Sequence, residues 1–190
     1  MSVVHTTWTG TNYSDGLEGR RVMIVGNSHW LSENEDDTDR ETIKVIENVV
    51  SGHWHDIAFF NHIRDYFGFS QHTDFWRRVA FLNYAPWSIG LGHQRYAQLS
   101  GEMVPAAKER FGREVARLAP DLVFVFSKKI RWALPEMTLR DETLPLPDSH
   151  VRTLPAAPSS RVLLLQHTQG APKRKMIETI SVGLGLPPLG

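Results

Sequence analysis

The chain has no cysteine in its 190 residues. That absence excludes disulfides, cysteine-ligated zinc and iron–sulfur clusters, so packing alone must hold the fold, and it fits a reducing compartment. No apolar run is long enough to span a bilayer. Residues 1–19 lack the basic-then-apolar order of a secretory signal and read as an irregular lead-in, which makes the cytoplasm the expected location. Net charge is also missing, because 21 Lys and Arg balance 21 Asp and Glu. The balance is uneven along the chain: residues 1–80 hold seven basic against twelve acidic side chains, and residues 81–190 hold fourteen against nine. A basic second half suits a phosphate backbone as partner.

Hydrophobic residues make up 41% of the chain, enough for the core of one domain. Four nearly continuous apolar runs are expected strands: Arg21–Val25, Val79–Tyr84, Leu122–Phe126 and Arg161–Gln166. Runs of this kind suit strands buried on both faces of a parallel sheet. Helical patterns lie between them. Thr38 or Asp39 is placed to cap a helix to Val50, with Ile43, Ile46 and Val50 on one stripe. An amphipathic, aromatic segment runs from His55 to about Phe67, and Pro105 opens a helix to Leu118 that Ala119-Pro120 ends. Pro172 opens a last helix over 173–182. The expected fold is therefore a single α/β domain over residues 20–182, a central four-stranded, mainly parallel sheet with helices on both faces. Residues 135–160 read as a long surface connection and 183–190 as a Gly/Pro tail.

In such sheets ligands bind outside the carboxyl ends of the strands, which selects the loops 26–37, 84–93, 127–132 and 167–172. The first begins Gly26-Asn27-Ser28-His29-Trp30. A strand-end glycine lets backbone N–H groups turn towards a ligand. Two chemistries suit the loop: Ser28 as a nucleophile with a distant histidine as base, or Asn27 or His29 positioning a water. Asn83 ends the second strand, and a carboxamide offers an acceptor and donors on one planar face, matching the edge of a uracil-type base. The fourth strand closes on His167, followed by Gln169, Gly170 and the basic run Lys173-Arg174-Lys175. Positive charge at a helix N-terminus opposes the macrodipole, and a docked anion relieves that cost.

Taken in order, these segments resemble the uracil-DNA glycosylase superfamily. The match runs over residues 20–182: a glycine-led motif after the first strand, a strand ending in asparagine, a helix entering the third strand through Pro120-Asp121, the loop Ser127–Pro135, and a strand closing on histidine. The resemblance implies a three-layer sandwich that extrudes a uracil from DNA and hydrolyses its N-glycosidic bond. It implies that Gly26, Asn27, Ser28 and Trp30 line the base pocket, with Asn27 or His29 orienting the water. Asn83 then reads the base edge and His167 stabilises the departing anion. Gln169 and Gly170 enter the duplex, while Lys173, Arg174 and Lys175 grip phosphates. The implied protein is a monomer whose partner is uracil-containing DNA, with no metal and no cofactor; His53 and His55 alone make a poor metal site.

The chain also departs from the family pattern. Ser28 stands where many members carry Asp or Asn, so water activation falls to Asn27, His29 or a backbone carbonyl. The acidic stretch Glu33-Asn34-Glu35-Asp36-Asp37 reads as a solvated face. His29 replaces a proline, Trp30 stands where several members have a thymine-excluding tyrosine, and Thr168-Gln169 replaces Pro-Ser. Phe60, Phe67, Phe69 and Phe75 compete to stack on the base. Two alternatives remain open. Val25-Gly26-Asn27-Ser28-His29 also resembles the start of SGNH-type esterases, with Ser28 as nucleophile and Asp148-Ser149-His150 as the nearest approach to that family's late Asp-x-x-His. The other is a catalytically inert, nucleic-acid-binding relative.

Overall fold

The four expected strands are the parallel heart of a wider sheet. The computed structural model describes residues 3–32, 35–54, 57–90 and 97–187. In chain order its elements are β1 (Trp8–Thr9), β2 (Val22–Gly26), α1 (Glu41–Val50), α2 (Ala58–Tyr66), α3 (His72–Trp76), β3 (Val79–Asn83), α4 (Val104–Leu118), β4 (Leu122–Val125), β5 (Thr138–Leu139), β6 (His150–Leu154), β7 (Ala157–Leu164) and α5 (Lys173–Leu184). The sheet has seven strands, not four, in the order β1-β3-β2-β4-β7-β6-β5. β3, β2, β4 and β7 run parallel, whereas β1, β6 and β5 add antiparallel margins.

Alternation along the central strands divides the core into two layers. Val22, Ile24, Val79, Phe81, Leu122, Phe124 and Leu163 pack beneath α1, α2, α3 and α5. The intervening residues Met23, Val25, Ala80, Leu82, Val123, Val125 and Val162 pack against Ala107, Phe111 and Val115 of α4. With both faces covered, the strands read as unbroken apolar runs. The link from β2 to β3 covers one face and the link from β3 to β4 the other, so the chain reverses direction across the sheet at β2. The carboxyl end of β2 is thus a topological switch point, where open α/β sheets form their ligand crevice.

Several expected boundaries move. Residues 135–160 are not an irregular connection: β6 and the first half of β7 form a hairpin turned at Pro155-Ala156, with Val151 and Leu154 buried. The lead-in is tied to the sheet, because β1 pairs with β3 and the Trp8 indole N–H donates to the Trp76 carbonyl at 2.9 Å. α5 runs on to Leu184 and ends at Gly185, whose φ of 77° suits glycine. α1 starts after Arg40, with no side-chain cap, and its buried stripe is Thr42, Val45, Ile46 and Val49 rather than Ile43, Ile46 and Val50. α2 starts at Ala58; His55, where that helix was expected to begin, lies outside the described residues. No helix among the described residues is long and apolar enough to cross a membrane.

Phe124 is fully buried at the middle of β4 and meets Phe67 edge-on at 5.2 Å. Phe124→Ala is expected to cost about 3–5 kcal/mol of stability, read from the urea midpoint of unfolding.

Candidate active site

A cleft of about 890 Å³ opens outside the carboxyl ends of the parallel strands, and the loops after β2, β4 and β7 and the first turn of α2 line it. Of the loops expected at this end, 84–93 contributes none of its described residues 84–90 to the lining.

The base of the cleft is set by strand register. Gly26 and Asn83 are direct partners at the ends of β2 and β3. A Cβ on Gly26 would lie 2.2 Å from the Asn83 side-chain oxygen and 3.4 Å from the Phe59 ring. Glycine is required there because the Asn83 carboxamide fills that space. Behind it, Arg110 of α4 is 2% exposed and donates through Nη1 to the Asn83 main-chain carbonyl at 2.7 Å. Burial pulls the Arg110 pKa down to about 10, which leaves the guanidinium charged at neutral pH. Among the described residues nothing hydrogen-bonds the Asn83 side chain, which faces the cleft.

The loop after β2 is held by its own backbone. The carbonyls of Gly26, Asn27 and His29 each accept one hydrogen bond, from the backbone N–H of Tyr84, Ala85 and Ile89. Asn27 donates to Ser28 Oγ at 3.4 Å, while its Oδ1 is buried without a donor among the described residues. His29 is buried, hydrogen-bonds Thr42 Oγ1 through Nε2 at 3.0 Å, and meets the His5 ring at 5.4 Å. Burial, then the charges of His5 and Arg110, push its pKa to about 3. It is a neutral, weakly basic group at working pH. His5 in turn contacts Asp37 Oδ1 at 2.7 Å, and Asp37 accepts from the Ser88 N–H and hydroxyl at 2.9 and 2.8 Å. Asp37, expected on a solvated face, therefore ties three segments together.

His167 stands opposite. The Gln169 backbone N–H donates to its Nδ1 at 3.1 Å. A nitrogen that accepts carries no proton, so the neutral ring presents Nε2–H as a donor. His167 is exposed overall, and partial desolvation of its ring, with the nearby Lys129 and His62, lowers its pKa and favours that neutral form. Phe59 stacks on the ring at 5.6 Å and 29°. Phe59 was not among the four phenylalanines expected to compete for a base. Of those, Phe60 reaches the cleft but packs against Trp76 and Phe81, while Phe67 and Phe69 pack on Phe75 in the core. The available signal was its place one residue off the buried stripe Phe60–Ile63.

Two carboxylates also line the cleft. Glu35 is exposed, accepts from the Ser32 N–H and from Lys44 at 3.2 Å each, and is held below the usual carboxylate range by those bonds. Glu41, in the first turn of α1, is 4% exposed, and burial raises its pKa. Nothing in the sequence marked Glu41, because acidic residues are ordinary at helix starts.

The rim is mixed. Trp30 and Trp54 are 42% and 39% exposed. Gln169 and Gly170 reach the lining and are exposed, and Gly170 adopts a φ of 84°. Lys128 pairs with Asp148 at 2.9 Å, Lys173 with Asp65 at 3.9 Å and Arg174 with Glu178 at 2.9 Å. Lys175 is exposed. Ser28 does not meet a triad: among the described residues its one hydrogen-bond partner is Asn27, Asp148 is taken by Lys128, and no carboxylate bonds His167. No group of three or more His, Asp or Glu able to hold a metal occurs among the described residues. Of the histidines weighed for metal, His53 bonds Ser51 and His55 lies outside the described residues.

The His29 environment has a consequence for stability. In the unfolded chain it titrates near 6.5 and in the fold only near 3. As pH falls through that window the unfolded state gains a proton that the folded state refuses, so stability is lost, by up to about 1.4 kcal/mol per pH unit. His29→Gln has no proton to refuse. Its urea midpoint is expected to fall less between about pH 7 and about pH 5 than that of the wild type.

No family model and no curated protein matches this chain.

Proposed function

We propose that the protein is a DNA glycosylase of uracil-DNA glycosylase type, which extrudes uracil from DNA and hydrolyses its N-glycosidic bond in the cleft described above. The observation that carries this is the convergence around one cavity of an Asn83 carboxamide with no hydrogen-bond partner among the described residues, a neutral Nε2–H donor on His167 and the Phe59 ring. A carboxamide that both donates and accepts matches the N3–H and O4 edge of uracil. The Phe59 face supplies the aromatic surface on which an extruded base stacks. The His167 donor suits the charge that collects on O2 as the glycosidic bond breaks, and a neutral imidazole leaves that charge on the base.

In this assignment Ser28 forms part of the pocket wall and Trp30 stands at its mouth, while Gly26, expected to line the pocket, is buried outside the lining and leaves room for the Asn83 carboxamide. Asn27 lines the pocket, and its Oδ1 is buried without a donor among the described residues. His29 acts by anchoring the loop to α1 through Thr42. Gln169 and Gly170 enter the DNA, and Lys173, Arg174 and Lys175 hold phosphates on the exposed start of α5. An esterase mechanism is disfavoured because, among the described residues, Ser28 has no histidine partner and no carboxylate hydrogen-bonds His167.

The test is a uracil-containing oligonucleotide incubated with the protein, treated with alkali and run on a gel. The wild type and Ser28→Ala are expected to leave alkali-labile sites. Asn83→Ala and His167→Ala are expected to lose about 100-fold or more. Gly26→Ala, which displaces the Asn83 side chain, is expected to lose activity while still folding. A folded wild type that releases no base overturns the assignment.

A further inference from the structure

We infer that Glu41 is the catalytic base that activates the hydrolytic water, an assignment that rests on the proposed glycosylase reading. Three observations carry it. Glu41 and Glu35 are the only carboxylate side chains among the described residues lining the cleft. Glu35 is exposed and committed, since both its oxygens accept hydrogen bonds from Ser32 and Lys44. Glu41 is buried to 4% exposure and accepts no hydrogen bond from any described residue, its nearest cation being Lys44 at 3.9 Å. A carboxylate drawn out of water, with only the 3.9 Å contact to Lys44 opposing that effect, is a stronger base than a solvated one.

Elimination points the same way. Asn27 has a carboxamide, which cannot take up a proton, and Ser28 is no carboxylate. His29 is engaged by Thr42. The main-chain carbonyls of Gly26, Asn27 and His29 each already accept one hydrogen bond, and an amide oxygen is too weak a base to take a proton from water. Glu41 reaches the cleft from α1, the helix whose next residue, Thr42, anchors the β2 loop. The carboxylate missing from the strand-end motif is thereby supplied from a different element.

In the step itself Glu41 takes a proton from water as the water oxygen bonds to C1′ of the deoxyribose. The C1′–N1 bond breaks and its electron pair leaves on the base. The resulting uracil anion is held through O2 by His167 and is protonated from solvent after release. Glu41 then returns its proton to solvent, so the sum is water and nucleotide giving abasic sugar and uracil.

The test uses the full chain under single-turnover conditions, with uracil release and oligonucleotide affinity measured separately. Glu41→Gln, nearly the same shape without the basic oxygen, is expected to slow release by about 100-fold or more with affinity and melting temperature close to wild type. Glu41→Asp is expected to fall between. Sodium formate added to Glu41→Ala is expected to restore part of the rate, which a purely structural role for Glu41 does not allow. If the wild type excises uracil and Glu41→Gln stays within about threefold of it, the Glu41 assignment is overturned while the glycosylase reading stands. If the wild type excises nothing, both fall.

Discussion

The geometry of the cleft hangs on one close approach. Gly26 and Asn83 face each other across the β2–β3 ladder, and the carboxamide of one occupies the space a side chain on the other would need. A slip of one residue would move large side chains such as Phe81 and Phe124 out of the layer beneath α1, α2, α3 and α5 into the layer that α4 covers, which holds the register. The buried Arg110 then holds the Asn83 carbonyl from the opposite layer. Its charge is costly to bury, and hydrogen bonds to strand-end carbonyls offset part of that cost. One wall of the cavity is therefore built by the sheet and braced by a helix that never enters it.

The remaining polar groups divide by what burial does to them. His5, His29, Thr42, Asp37 and Ser88 form a partly buried network behind the β2 loop, joining the N-terminal segment to the loops after β2 and β3. Burial keeps its histidines neutral and makes it a brace. The neutral form of His167 is also favoured, and among the described residues only Nδ1 is hydrogen-bonded, which leaves Nε2–H as a donor on the cleft lining. Glu41 is driven the other way, since burial weakens its acidity and strengthens it as a base. Low dielectric thus turns similar titratable residues into supports, a hydrogen-bond donor and a proton acceptor according to what each touches.

Much of this was legible in the sequence because the parallel core announces itself. Doubly buried strands are continuous apolar runs, and Asn83 and His167 stood out as polar residues ending such runs. What escaped depends on tertiary placement. β1 and β5 have two residues each, too few for a periodic signal. β6 lies in a Pro-rich stretch whose pattern, with Val151 and Leu154 buried three apart, does not alternate cleanly. Phe59 looked like any helical aromatic and Glu41 like a helix-start acid. Asp37 looked like one charge in a solvated run, until the fold set His5 and Ser88 beside it. Arg110 carried no mark either, since a helical arginine is ordinarily exposed.

The most direct measurement is a titration of the ¹⁵N-labelled protein with free uracil, followed at the side-chain amide of Asn83 and at Nε2 of His167. If the cleft is a uracil pocket, both resonances shift together along one saturating curve, and Asn83→Ala abolishes the shift at His167. Uracil that leaves both signals unmoved, or that shifts only groups outside the cleft, would contradict it.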